Sequence, residues 1–143
     1  MTEGVVLLGH GSRREEANEE IRQLTGMIQK ADNNRLYETA FLSIGHPYLA
    51  DAIENLIKKG CVKIIVMPMF LVTGNHIDSD IPNKILLQKT AHPNIEFVLA
   101  KHFGSHPGVI NIVQERIKEA SKVGSQRSVN SRQRSEVRKS SDH

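Results

Sequence analysis

Two histidines stand where a ligand could reach them. His10 lies between Gly9 and Gly11, directly after the apolar run Val5-Val6-Leu7-Leu8, and is followed by Ser12 and Arg13. His76 comes two residues after Gly74. Glycine lets a backbone turn sharply and approach a ligand closely. Neutral imidazole is a common ligand for borderline divalent metals, and as a class it titrates near neutrality, so one group can grip a metal and accept a proton. Five further histidines complete the set. His46, His102 and His106 follow expected strands, whereas His92 belongs to the opposite end. His92 and His106 precede prolines and read as turn or cap residues, and His102 reads as a solvent residue. The residues alone leave two readings open: ordinary turn histidines, or a shared metal or anion site built on His10 and His76.

The elements that would position these groups follow from periodicity. Val5 to Leu8 reads as a strand buried on both faces, the kind found in parallel sheets. Ser12 can cap a polar helix from Arg13 to Ala31, whose Ala17, Ile21, Leu24 and Ile28 form a narrow apolar stripe. Leu36 to Ile44 is a second strand, broken by Gly45-His46-Pro47. Leu49, Ala52, Ile53, Leu56 and Ile57 follow at helical spacing, with Gly60 where a C-terminal cap belongs. Lys63 to Met69 is a third strand with Pro68 near its end. A loop from Phe70 to Asp80 then carries His76, and Pro82 falls in the first turn of the helix after it. Ile95 to Leu99 is a fourth strand, and Ser105-His106-Pro107 opens a last helix. Strands alternating with helices through short connections predict an α/β fold, a parallel sheet with helices on both faces. Its C-terminal edge, where such sheets bind ligands, would collect His10, Ser43, His46 and His76.

Composition narrows the function. At 143 residues one domain is expected, over residues 1–120. From Ser121 onward Lys122, Arg127, Arg132, Arg134, Arg138 and Lys139 oppose Glu136 and Asp142, a charge of +4, so the remainder carries −1 of the total +3. Residues 121–143 have too little apolar surface to offset their ordering entropy and are expected to be a disordered basic tail. No apolar run reaches spanning length and no leader pattern opens the chain, so a soluble cytoplasmic protein without a membrane partner is expected. The lone Cys61 fits a reducing compartment and reads as a structural thiol at the far edge of the sheet. With no tryptophan and 4% aromatics there is no stacking platform for nucleic acid.

Gly9-His10-Gly11-Ser12-Arg13 after an apolar strand, Phe41-Leu42, Pro68 with Phe70-Leu71, Gly74-x-His76-x-x-x-Asp80-Ile81-Pro82 and Gly104-x-His106-Pro107 occur in this order between Val5 and Ile117. Together they resemble the short class II sirohydrochlorin chelatases, the group of the small cobaltochelatase of cobalamin synthesis and the sirohaem ferrochelatase. The resemblance implies a flavodoxin-like domain, with strand order 2-1-3-4 expected. It also implies insertion of a divalent metal, Co²⁺ first and Fe²⁺ second, into the carboxylate-fringed macrocycle sirohydrochlorin. The metal is then a substrate and no cofactor is permanently bound. His10 and His76 would hold the metal and take the pyrrole protons, with Gly11, Ser12, Arg13, Ser43, His46 and Gly74 around the substrate. A homodimer is expected, because one such domain covers only one face of a flat ring. One position departs from the pattern: the family carries Phe-Leu-Glu-x-x-x-Pro where this chain has Ser43, with His46 before Pro47. His46 is therefore a candidate third metal ligand. The missing carboxylate also keeps open a non-catalytic metal or tetrapyrrole carrier. A histidine phosphatase is disfavoured, since Gly9 stands where that chemistry needs an arginine.

Overall fold

A computed structural model describes Thr2 to Arg127. Of the tail expected over residues 121–143, residues 121–127 are helical and residues 128–143 lie outside the described residues. In chain order the elements are β1 (Thr2–Gly11), α1 (Glu15–Ala31), β2 (Arg35–Ile44), α2 (Leu49–Lys58), β3 (Cys61–Pro68), α3 (Asn75–Ala91), β4 (Glu96–Leu99) and α4 (Pro107–Arg127). The four strands form one parallel sheet in the order β2-β1-β3-β4, as expected. The chain divides into two compact units at Gly104/Ser105. The second unit contains α4, which runs past the boundary expected at Ala120.

Strand β1 is buried from Gly4 to Gly9 because it lies between two strands and two helical layers. On one face Val6 and Leu8 join Ala40, Ile64, Val66 and Phe97 of the other strands, with Leu49, Ala52, Ile53 and Leu56 of α2 and Ile81 and Ile85 of α3. On the other face α1 packs along β1 and β2. There the Thr39 hydroxyl donates to that of Thr25 at 2.7 Å, so neither buried hydroxyl is left unpaired. Among the described residues no buried side-chain polar atom lacks a partner.

Register is set at the edge remote from His10. Glu3 pairs with Arg35 of β2 and Lys63 of β3, and Lys63 pairs with Glu96 of β4. Their charges alternate across the sheet, with Arg35 Nε to Glu3 at 2.8 Å and Lys63 Nζ 3.7 Å from both Glu3 and Glu96. Opposite charges placed directly across neighbouring strands favour this pairing over a slipped one. Cys61 begins β3 at this same edge and is buried; burial pushes its thiol above the ordinary range, as suits a structural cysteine.

Two local expectations change. Helix α1 begins at Glu15 with no side-chain cap; the Ser12 hydroxyl instead accepts the Arg14 N–H at 3.1 Å and closes a turn just before the helix. Helix α3 begins at Asn75, not beside Pro82, so Pro82 is internal and His76 lies in a helical first turn and not in a loop. The Asp78 N–H donates to the Gly74 carbonyl at 3.0 Å, and Asp78 places a negative charge near the positive end of the helix. Proline forfeits one helical hydrogen bond. Here Ile81 and Ile85, either side of Pro82 in sequence, bury against the core and hold the helix across that gap.

Gly60, with φ of +95°, follows α2 as expected, and its N–H donates to the Ile57 carbonyl at 2.9 Å. Leu56, fully buried between α2 and the sheet, tests the core directly. Leu56→Ala should lower unfolding free energy by about 3 kcal/mol, measured by urea denaturation.

Candidate functional site

The C-terminal edge of the sheet is shaped by a close backbone contact. Pairing between β1 and β2 shifts register between Gly9 and Gly11, so that Gly11 meets Ile44. Gly11 has φ of +98°, and a Cβ there would stand 2.0 Å from the Ile44 carbonyl oxygen. No other residue fits. This irregularity places His10 at the exposed C-terminal end of β1. Its ring meets Phe70 edge-on, with centroids 6.3 Å apart. Phe70 is itself nearly buried and follows β3, whose end is tied to β1 by the Met69 N–H donating to the Leu8 carbonyl at 2.8 Å.

Ser43 lies beside His10. Its hydroxyl donates to the His10 carbonyl oxygen at 3.2 Å, so this exposed serine steadies the backbone that carries the imidazole. His46 is exposed in the turn between β2 and α2, its ring edge-on to Tyr48 at 4.8 Å. The His46 carbonyl accepts Arg22 Nη2 at 3.0 Å, and the Arg22 guanidinium lies 5.3 Å from the centre of the Phe41 ring. Arg22 also pairs with Glu15 and with Glu19, and the hydrogen bond from Arg22 holds the Glu15 carboxyl below its usual range. Gly45, with φ of +125°, lets this turn pass close to Phe41 and Asn18. Arg13 is exposed and pairs with none of the described carboxylates, leaving its charge available at the edge. Gly74 precedes α3, and a Cβ there would meet nothing within 4 Å, so the space beside it is open.

His102 is half-buried, where a solvent residue was expected. His92 ends α3 as its C-terminal cap, and His106 Nδ1 accepts the Gly108 N–H at 2.9 Å at the start of α4; both match the turn-and-cap reading. Among the described residues no three His, Cys, Asp or Glu side chains form a ready metal cage. No described helix is long and apolar enough to cross a membrane.

Asn18 is the residue that sequence reasoning missed. It is only 2% exposed, its Oδ1 accepts the Ser12 N–H at 2.9 Å, and its Nδ2 donates to the Ser12 carbonyl at 2.9 Å. A polar residue six positions after Ser12 on a helix carries no local signal of this role. The two bonds clamp the segment from His10 to Ser12 onto α1. Helix α1 thereby holds both neighbouring turns, one through Asn18 and the other through Arg22.

A family model described as CbiX matches residues 4–120. The chain is 33% identical to a sirohydrochlorin cobaltochelatase of Priestia megaterium, over 80% of this chain and 37% of that protein. It is 32% identical to a sirohydrochlorin cobaltochelatase of Methanothermobacter thermautotrophicus, over 82% of this chain and 92% of the other. The crystal structure of the sirohydrochlorin chelatase SirB from Bacillus subtilis subspecies spizizenii, in complex with cobalt, superposes with a TM-score of 0.77 at 28% identity. That match covers 83% of this chain and 51% of SirB. The chain thus spans about a third to a half of these two bacterial relatives and most of the archaeal one.

Asn18→Ala strands a backbone donor and acceptor of Ser12, and should cost about 1–3 kcal/mol. Asn18→Asp keeps the acceptor but sets a carboxylate oxygen against the Ser12 carbonyl, and should cost at least as much as Asn18→Ala. Chemical denaturation of the three proteins checks the order.

Proposed function

The chain belongs to the CbiX family, and on that premise we propose that it inserts a divalent metal into sirohydrochlorin. The observation that carries this reading is the placement of His10, raised on the register shift at Gly11 to the ligand-binding edge of the sheet. Cobalt is the first choice of metal, since both curated relatives described above bear the name cobaltochelatase and the SirB crystal holds cobalt. Iron is the second. The metal is a substrate, taken up with the ring and released within it.

As M²⁺ enters the macrocycle, two pyrrole nitrogens give up their protons. His10 and His76 serve this step as metal ligands and proton acceptors. A nitrogen pair grips cobalt or iron without the near-permanent hold of thiolates, so the metal can pass on to four ring nitrogens. Ser43 fixes the His10 main chain, and His46 stands as a third candidate group in the region from which the family glutamate is absent. Gly11, Ser12 and Gly74 line the approach of the ring, and Arg13 faces a ring carboxylate. A flat ring needs cover on both faces to exclude water. The reading therefore includes a homodimer, and the exposed Leu71 and Val72 after β3 offer it apolar surface near this edge. The free, buried Cys61 suits a reducing cytoplasm.

Ser43 also favours a second reading, a carrier that binds metal or ring without turnover, because a hydroxyl cannot supply the proton acceptance of a carboxylate. Anaerobic incubation with sirohydrochlorin and Co²⁺, followed by ring absorbance, separates the two: a chelatase yields the metallated ring and a carrier does not. In that assay His10→Ala and His76→Ala should each lower the rate at least about a hundredfold, with melting temperatures close to wild type. Normal turnover of His10→Ala would contradict the mechanism. Ser43→Glu should raise the rate, and His46→Ala should weaken Co²⁺ binding measured by titration. His46→Ala with unchanged affinity and rate would remove His46 from the site.

A further inference from the structure

Resting on the chelatase reading, we propose that a cavity beside β4 receives one carboxylate arm of the tetrapyrrole and that Lys101 and His102 recognise it. The cavity has a volume of about 190 Å³ and lies where Pro68 closes β3 and Leu99 closes β4, with Ile81 of α3 in its wall. Sites that enclose a whole drug-sized ligand occupy roughly 300–1,000 Å³. This one is too small for a macrocycle and of a size for a side arm.

Its position relative to His10 follows from the sheet. Strands β1, β3 and β4 are consecutive neighbours, and Leu99 lies level with Val66 and Val6, so the end of β4 is four residues short of His10 along the sheet and about 10 Å across it from β1. That is the order of distance from the centre of a tetrapyrrole to a carboxylate on its rim. Lys101 and His102 continue two and three residues past Leu99, toward the level of His10, so a ring centred near His10 can extend one arm toward them. The separation is held by backbone bonds: the N–H groups of Phe103 and Gly104 donate to the carbonyls of Phe70 and Leu71 at 3.1 and 3.0 Å. The segment carrying Lys101 and His102 is thus fastened to the loop whose Phe70 ring touches His10.

The lining holds one basic and one acidic side chain. Lys101 is exposed, and neither it nor Asp78, the acid in the lining, forms an ion pair with any described residue. The lysine charge is not neutralised by a partner. His102, half-buried on the same wall, adds a second nitrogen within an otherwise largely apolar lining. A largely apolar wall with a lysine and a histidine in its lining suits a short aliphatic acid, the chemistry of an acetate or propionate arm.

The test uses the full chain with metal-free sirohydrochlorin and with its fully methyl-esterified form, following binding by fluorescence and metallation by absorbance. Lys101→Glu should weaken binding of the free acid, and raise KM for it, by about tenfold, the scale of one charge-assisted hydrogen bond. The kcat should change less than twofold. Lys101→Arg should recover most of the affinity. The difference between Lys101→Glu and wild type should shrink at about 1 M salt, where the screening length is about 3 Å, and vanish with the ester. Equal affinity of wild type and Lys101→Glu for the free acid, or an equal loss with the ester, would overturn the assignment. Binding that falls in Lys101→Glu while wild type metallates nothing would uphold the cavity and refute the chelatase reading instead.

Discussion

Everything at the candidate site depends on one approach of two backbones, that of Gly11 to the carbonyl of Ile44. A Cβ at Gly11 would lie 2.0 Å from that oxygen, so the contact exists only because the residue is glycine. The register shift it permits ends regular pairing between β1 and β2 and leaves His10 at the top of the central strand. Its neighbours then hold it there. The Ser43 hydroxyl donates to the His10 carbonyl, Asn18 clamps both backbone groups of Ser12, and Phe70 supports the imidazole edge. An exposed histidine is thereby held in place by groups that are themselves buried or hydrogen-bonded.

The two edges of the sheet divide the work. At the N-terminal edge, alternating charges from Arg35 through Glu3 and Lys63 to Glu96 tie four strands into register. At the C-terminal edge the strands end at different heights, β4 stopping at Leu99 opposite Val66 while β3 continues to Pro68. That unevenness opens the small cavity lined by Lys101 and His102. A fixed register at one end thus sets the spacing of chemical groups at the other.

Much of this was legible in the sequence. The uninterrupted run Val5 to Leu8 announces a central strand, and Gly9-His10-Gly11 announces that something must come close at its end. The strand order and the parallel sheet agree with the expectation. The start of α3 was not legible, because Gly74, the polar residues after it and Pro82 together mimic a loop that ends at a proline. Tertiary packing of Ile81 and Ile85 outweighs the single hydrogen bond that Pro82 forfeits. The roles of Ser43 and Asn18 were hidden for another reason. Each acts through a backbone atom of a residue elsewhere in the chain, and side-chain patterns carry no record of such bonds.

The central claim is that His10 and His76, out of seven histidines, receive the metal. Imidazole resonances followed by NMR during addition of substoichiometric Co²⁺ test it most directly, since a paramagnetic ion broadens the ring to which it binds. The account predicts that His10 and His76 broaden first, before His92, His102 and His106. Broadening that begins at other histidines, or proceeds evenly across all of them, would contradict it.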